Sequence, residues 1–227
     1  MTVIAIREVT PDIGKEELAE SRLRRAAGVM ARHGAFTRIF KVAAGGSAGD
    51  YNLQSMYGSF EEGARAFQSF NADPEFQALF RERGANPAGD IRGPNIYRMI
   101  YGAPTTPPRP VLVQRLYHMP RNNIGAVMDL APKLDALMQT VDVPIGVAVP
   151  AFADDHEMMG VVYRFNSMEH WGTSVDQMVE NEEFTDLVSK ANELGTLTTT
   201  HSVQSLRLPV GTALARTNHV ITMSFQK

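Results

Sequence analysis

The chain has no cysteine among its 227 residues. That absence excludes disulfides, thiolate metal sites and a cysteine nucleophile together. Nor is there an excess of positive charge. Lys and Arg number 22 against 25 Asp and Glu, a formal net of −3, so nucleic acid is not expected as a partner. Long hydrophobic runs are also missing, and no window approaches the unbroken apolar length that spans a bilayer, so no membrane partner is expected. The opening MTVIAIREVT lacks a basic segment ahead of an apolar one and does not read as a secretory signal. A cytoplasmic protein is the expectation. The local basic stretch Arg22, Arg24, Arg25, Arg32 reads as the solvated face of a helix rather than a phosphate patch.

What is present is a sequence that recurs at an offset of 108 residues. Val3 falls on Val111, Arg7 on Arg115, Met30 on Met138, Ser59 on Ser167, and Glu75, Phe76, Leu79 on Glu183, Phe184, Leu187. Apolar character matches between these identities, as at Ile39 and Val147 or Leu53 and Val161. A period this long points to tandem copies of a small domain, not to a solenoid.

Within copy one, TVIAIREV is rich in β-branched residues and predicts a strand. The stretch between Gly14 and Gly34 places Ala19, Leu23, Ala27 and Met30 in one helical stripe. FTRIFKVA and YNLQSMYGS flank the small-residue turn AGGSAGD and predict a hairpin. Ser59 followed by Glu62 has capping-box spacing, and Asp73-Pro74 is placed to open a second helical segment. NIYRMIY predicts the fourth strand. Copy two repeats the order, ending in the strand HSVQSLRL. The order β-α-β-β-α-β is that of a split βαβ, ferredoxin-like unit. Such a sheet leaves one face uncovered, and packing it on a second copy buries that face.

The fold class expected is therefore α+β: two tandem ferredoxin-like βαββαβ repeats whose antiparallel sheets pack as a pseudo-dimeric α/β barrel. Repeat one spans 1–101, a Pro-rich linker 102–110, repeat two 111–208, and a tail with an extra strand, HVITMSF, 209–227. Homo-oligomers through a sheet edge or that C-terminal strand are a further expectation.

The element order and the segment Asp73-Pro74-Glu75-Phe76, diverged to Asn181-Glu182-Glu183-Phe184, resemble the dimeric α/β-barrel superfamily. Its members include antibiotic-biosynthesis-monooxygenase and NIPSNAP-like domains, and the resemblance covers almost the whole chain. That segment is structural in such domains. The resemblance implies a range of activities: cofactor-independent oxygenation of aromatic substrates, haem binding or degradation, and isomerisation. Fold alone does not choose among them. No cofactor is predicted from the residues, and haem enters only through the resemblance.

Candidate site residues come from where the copies differ. Five of the six histidines lie beyond the first copy: His118, His156, His170, His201 and His219, with His118 on Thr10 and His170 on Glu62 in the offset frame. This asymmetry suits a site in the second copy, and equally suits surface drift. On the first strands, Arg7 and Arg115 share a face with Val3, Ala5, Val113 and Tyr117, while Ile4, Ile6, Leu112 and Leu116 look fit to pack under helices. The arginines are thus expected in the barrel interior. There each is either a paired structural charge or an anchor for a carboxylate, phenolate or enolate.

The resulting expectation places Tyr117 and His118 as catalytic residues, His118 as a general acid or base. Arg115, Arg7, His201, Tyr163 and Trp171 would bind a small-molecule substrate, apolar or aromatic with an anionic group. The alternatives are a non-catalytic ligand-binding or assembly barrel, or a haem-binding protein, and Trp171 also reads as a core residue. Asp154-Asp155-His156-Glu157 reads as a solvated turn, not a metal site, and AGGSAG lacks the Lys-Ser/Thr of a phosphate loop. No Ser-His-Asp arrangement is legible.

Overall fold

The computed structural model describes residues 1–206, so His219 and the segment HVITMSF lie outside the described residues. In chain order the elements are β1 (Val3–Pro11), α1 (Glu16–Arg32), β2 (Phe36–Ala44), β3 (Tyr51–Tyr57), α2 (Phe60–Asn71), α3 (Pro74–Ala85) and β4 (Gly89–Tyr101). The same order follows as β5 (Val111–His118), α4 (Ile124–Gln139), β6 (Ile145–Phe152), β7 (Met158–Phe165), α5 (Met168–Val179), α6 (Glu182–Leu194) and β8 (Thr196–Ser205). A short 3₁₀ turn, Arg121–Asn123, precedes α4.

All strand pairs are antiparallel. Each half has the ferredoxin-like strand order, β4-β1-β3-β2 and β8-β5-β7-β6. The pairs β2·β8 and β4·β6 join the halves, so the eight strands close into a barrel.

Local chemistry sets the helix starts. Ser59 Oγ accepts from the Glu62 amide at 3.1 Å, and the Glu62 carboxylate accepts from the Gly58 amide at 2.9 Å. In the second half Ser167 Oγ accepts from the His170 amide, and His170 Nδ1 accepts from the Asn166 amide at 3.1 Å. The imidazole thus does the work of the carboxylate that Glu62 supplies in the first half. Its other nitrogen, Nε2, lies 2.8 Å from the Val141 carbonyl, which fixes the Nε2–H tautomer. The difference between Glu62 and His170 is therefore structural. Asp73 caps α3 with Pro74 opening the helix. Asn181 caps α6 in the same way.

Two sequence expectations need correction. Strand β4 begins at Gly89, well before NIYRMIY, and runs through Gly93-Pro94. Its pairing with β1 shifts register between Ile6 and Glu8, where a proline without an amide proton costs little. Strand β8 begins at Thr196, so His201 lies mid-strand, and β8 pairs β5 directly with Gln114 opposite His201.

Three apolar clusters hold the molecule. One packs Ala5, Val9, Leu53 and Tyr57 against α1, α2 and α3. A second packs Val113, Tyr117, Val161 and Tyr163 against α4, α5 and α6. The third, Phe40, Val42, Leu112 and Val203, lies on the inner face of the barrel. The expected faces are thereby exchanged: the strand face that carries Arg7 and Arg115 lies under the helices, and the face of Leu112 looks into the lumen. No helix among the described residues is long and apolar enough to cross a membrane.

Candidate functional site

A cavity of about 290 Å³ lies in the first half, between the sheet and helices α1 to α3. Arg7 and Val9 of β1 and Leu53 of β3 form its floor. Helix α1 contributes Ala19, Arg22 and Ala26, two of them small enough to leave space. Phe67 of α2 and Phe76, Phe80 and Arg83 of α3 complete the wall. Phe70 links these aromatics in an edge-to-face chain, with Phe67–Phe70, Phe70–Phe76 and Phe76–Phe80 centroids 5.4, 5.0 and 5.1 Å apart. Phe67 and Phe80 are more than half exposed, at 51% and 55%, and mark the side open to solvent.

Three guanidinium groups line this cavity, and no carboxylate does. Arg7 forms no hydrogen bond or ion pair within the described residues; its only side-chain partner is the Phe70 ring, 5.9 Å from Cζ. Burial holds its pKa below the usual arginine value, opposed by the nearby Tyr57 phenol. Burial likewise pushes Tyr57 up. Arg22 donates to the backbone carbonyls of Asn86 and Glu82, at 2.7 and 3.2 Å, and its Nε is buried with no partner. An anion entering here would meet donors already desolvated and unmatched.

The equivalent space in the second half is a cavity of about 60 Å³. Tyr117 and Tyr163, buried at 6% and 5% exposure, occupy it. Arg115 sits beside them with Cζ 5.3 Å from the Tyr163 ring, and its Nε is buried without a partner. Burial drives the Tyr163 phenol far above its ordinary pKa.

The structure thus brings Arg115, Tyr117 and Tyr163 together and places the other expected residues elsewhere. His118 ends β5 with Nδ1 3.0 Å from Asp155 and Nε2 3.4 Å from Glu157, half exposed, and lines neither cavity. His201 Nδ1 lies 3.1 Å from Ser47 Oγ in the β2–β3 turn, and burial lowers its pKa. Trp171 packs, partly buried, against the second core. Arg7 lines the larger cavity alone of that set. Among the described residues no group of three or more His, Asp or Glu could hold a metal ion.

Arg22, expected on a solvated helix face, instead lines the cavity with its Nε buried, and sequence reasoning did not single out Arg83, Phe67 or Phe80. Side-chain size at the 108-residue offset carried the signal: Val9 faces Tyr117, Ala26 faces Leu134 and Ser55 faces Tyr163, so the first half has the room.

Haem can be tested against these donors. The lining of the first cavity offers guanidinium, amide and the Met30 thioether, with no imidazole, phenolate or thiolate to bind iron axially. The residues of that cavity do not fit haem.

No protein-family model matches the chain, and no curated protein matches it in sequence. Solved structures do match. One is a monooxygenase candidate from Fusobacterium nucleatum subsp. nucleatum ATCC 25586, with TM-score 0.63 and 7% identity, covering 91% of this chain and 93% of that one. An anthrone oxidase-like protein matches with TM-score 0.63 and 11% identity over 91% and 92%. A chlorite dismutase candidate matches with TM-score 0.56 and 10% identity over 91% and 95%. At these identities the likeness shows the fold alone, ferredoxin-like units whose antiparallel strands close into a barrel.

Proposed function

We propose that the chain is a duplicated dimeric α/β-barrel unit and an oxygenase-type enzyme, acting on a small, ring-bearing substrate with an acidic group in the first-half cavity. The observation that carries this reading is Arg7: a desolvated guanidinium without an anionic partner, at the floor of an aromatic-walled cavity. The neighbours described as monooxygenase and anthrone oxidase-like support the reaction class.

The chemistry follows from the donors. Dioxygen reacts with an electron-rich ring anion far more readily than with the neutral ring. A phenol or activated methylene held against Arg7 loses its proton more easily, because the guanidinium stabilises the anion in a low-dielectric site. No carboxylate or imidazole lines the cavity, so the released proton goes to solvent on the open side near Phe67 and Phe80. The substrates that suit this arrangement are already acidic ones, such as anthrone-type tricyclic phenols. His118, expected as the acid–base group, and His201, expected as a substrate contact, line neither cavity.

The test is oxygen uptake with a panel of such phenols. The wild-type chain consumes oxygen with at least one of them. Arg7→Met lowers kcat/KM about 100-fold, the scale of losing a desolvated charge contact. Uptake that Arg7→Met leaves unchanged, in a folded protein, contradicts the assignment. A haem site elsewhere would instead give a Soret band on mixing with haemin.

A further inference from the structure

The barrel lumen contains a second group of unmatched donors, on the opposite side of the sheet from Arg7. Arg38 lies two residues before Phe40 on β2, and Phe40 belongs to the lumen cluster, so Arg38 shares that face. Arg164 pairs in register with Leu112, another lumen residue. Gln54 pairs with Arg38 across β2 and β3, which sets their side chains on one face.

These groups are buried and poorly satisfied. Arg164 is only 7% exposed, and its Nη1 is buried without a partner. Gln54 is 5% exposed, and its amide Nε2 is also an orphan donor. Arg38 donates to the Arg109 backbone carbonyl at 2.5 Å and stacks on Phe40 at 4.4 Å, with no carboxylate in contact among the described residues. Burial, with the Arg164 charge in reach, brings the Arg38 pKa down to about 10. Burial brings Arg164 to about 10 as well, with Asp135 opposing and Arg109 reinforcing the shift.

The nearby carboxylates are engaged elsewhere. Asp135 accepts from the Tyr101 hydroxyl, the Ile145 amide and Gln139. Asp142 pairs with Arg109 at 2.7 Å. Space is made for the guanidinium of Arg164 at Gly146, where a Cβ would stand 2.6 Å from Nη2. Two guanidinium groups and an amide therefore lie on the inner face of the barrel with unmatched donors, while Glu8 on the same face is paired with Arg92 at 3.5 Å. Such a set is costly when empty and is satisfied by an anion that accepts from all three.

We propose that the barrel lumen binds a small oxyanion, a carboxylate or a phosphate, held between Arg38 and Arg164 with Gln54 as a third donor. This site is separate from the Arg7 cavity, and its fate does not depend on the oxygenase reading. Arg164 and Arg38 supply the planar forks that match an oxyanion, and Gly146 leaves room for the Arg164 guanidinium.

The full chain, in a buffer without phosphate or carboxylate, is titrated with inorganic phosphate and separately with acetate while thermal unfolding is followed. A ligand that binds only the folded state raises the midpoint saturably. The expected result is such a rise with at least one probe, with phosphate alone or acetate alone identifying the source. Arg164→Met should move half-saturation at least tenfold higher, and without anion it should melt no lower than wild type, because it removes an unpaired buried charge. Arg7→Met should keep the full response. If Arg164→Met does not fold, Arg38→Met and Gln54→Leu read the same shift in half-saturation. No saturable rise with either probe, or a response unchanged in the folded lumen variants, overturns the proposal.

Discussion

The two halves enclose the same space and fill it differently. Val9, Ala19, Arg22, Ala26 and Arg83 line the first cavity, and the residues 108 positions on, Tyr117, Val127, Leu130, Leu134 and Ala191, line the second. The exchanges at Val9, Ala19 and Ala26 add volume, those of Leu23 for Ala131, Leu53 for Val161 and Phe80 for Val188 remove it, and both charged positions become aliphatic. The outcome is about 290 Å³ in one half against about 60 Å³ in the other. Two halves with the same element order thus hold an open, cationic cavity in one and a packed core in the other. Each half keeps its β1 or β5 arginine, but only Arg7 faces open volume.

That contrast can be broken from either side. The largest effect is expected from Tyr163→Ser, which places the residue of Ser55 into the second core. Emptying so buried an aromatic should cost about 3 to 5 kcal/mol in denaturant unfolding. A cost below about 1 kcal/mol would mean that the second half is not tightly packed. The converse exchange, Ala26→Leu, imports the residue of Leu134 into the open cavity. Ligand affinity should fall about tenfold while stability holds within about 1 kcal/mol, since apolar surface is added to a void rather than to a packed core. Affinity that does not change would place the ligand elsewhere.

Smaller effects test the caps and the seam. Ser59→Ala and Ser167→Ala should each cost about 1 kcal/mol, equally in both halves, because each hydroxyl holds one amide at a helix start. Unequal costs would show that the imidazole of His170 and the carboxylate of Glu62 are not equivalent partners. The smallest effect concerns His201, which touches the β2–β3 turn from β8. Its folded pKa lies below the unfolded value of 6.5 because burial disfavours the imidazolium. The unfolded chain therefore binds the proton more readily, and this contribution to stability is complete above pH 6.5 and declines as pH falls below it. His201→Gln should flatten that part of the stability profile, and an unchanged slope would show that another group titrates there.

Much of this architecture was legible in the sequence. The strand and helix order, the cap at Ser59, and the proline opening α3 follow from local chemistry that needs no tertiary partner. The facing of β1 and β5 did not. Both sides of these strands are buried, one under helices and one in the lumen with Leu112 and Val203, so alternation marks two faces without saying which is which. Strand β4 was cut short because Gly93-Pro94 reads as a breaker until its place opposite the irregular pairing of β1 is known. Histidine count misdirected attention to the second half, where His170 serves a helix start and His118 sits between two surface carboxylates. The cavity itself is a matter of missing volume, and only side-by-side comparison of residue sizes reveals that.

The central claim is that Arg7, and not Arg115, faces a ligand. It is tested most directly by calorimetric titration of the wild type, Arg7→Met and Arg115→Met with 8-anilinonaphthalene-1-sulfonate, an aromatic probe carrying one anionic group. One site per chain is expected, weakened about 100-fold by Arg7→Met and left intact by Arg115→Met. Two equal sites, or a site that Arg115→Met removes and Arg7→Met spares, would contradict it.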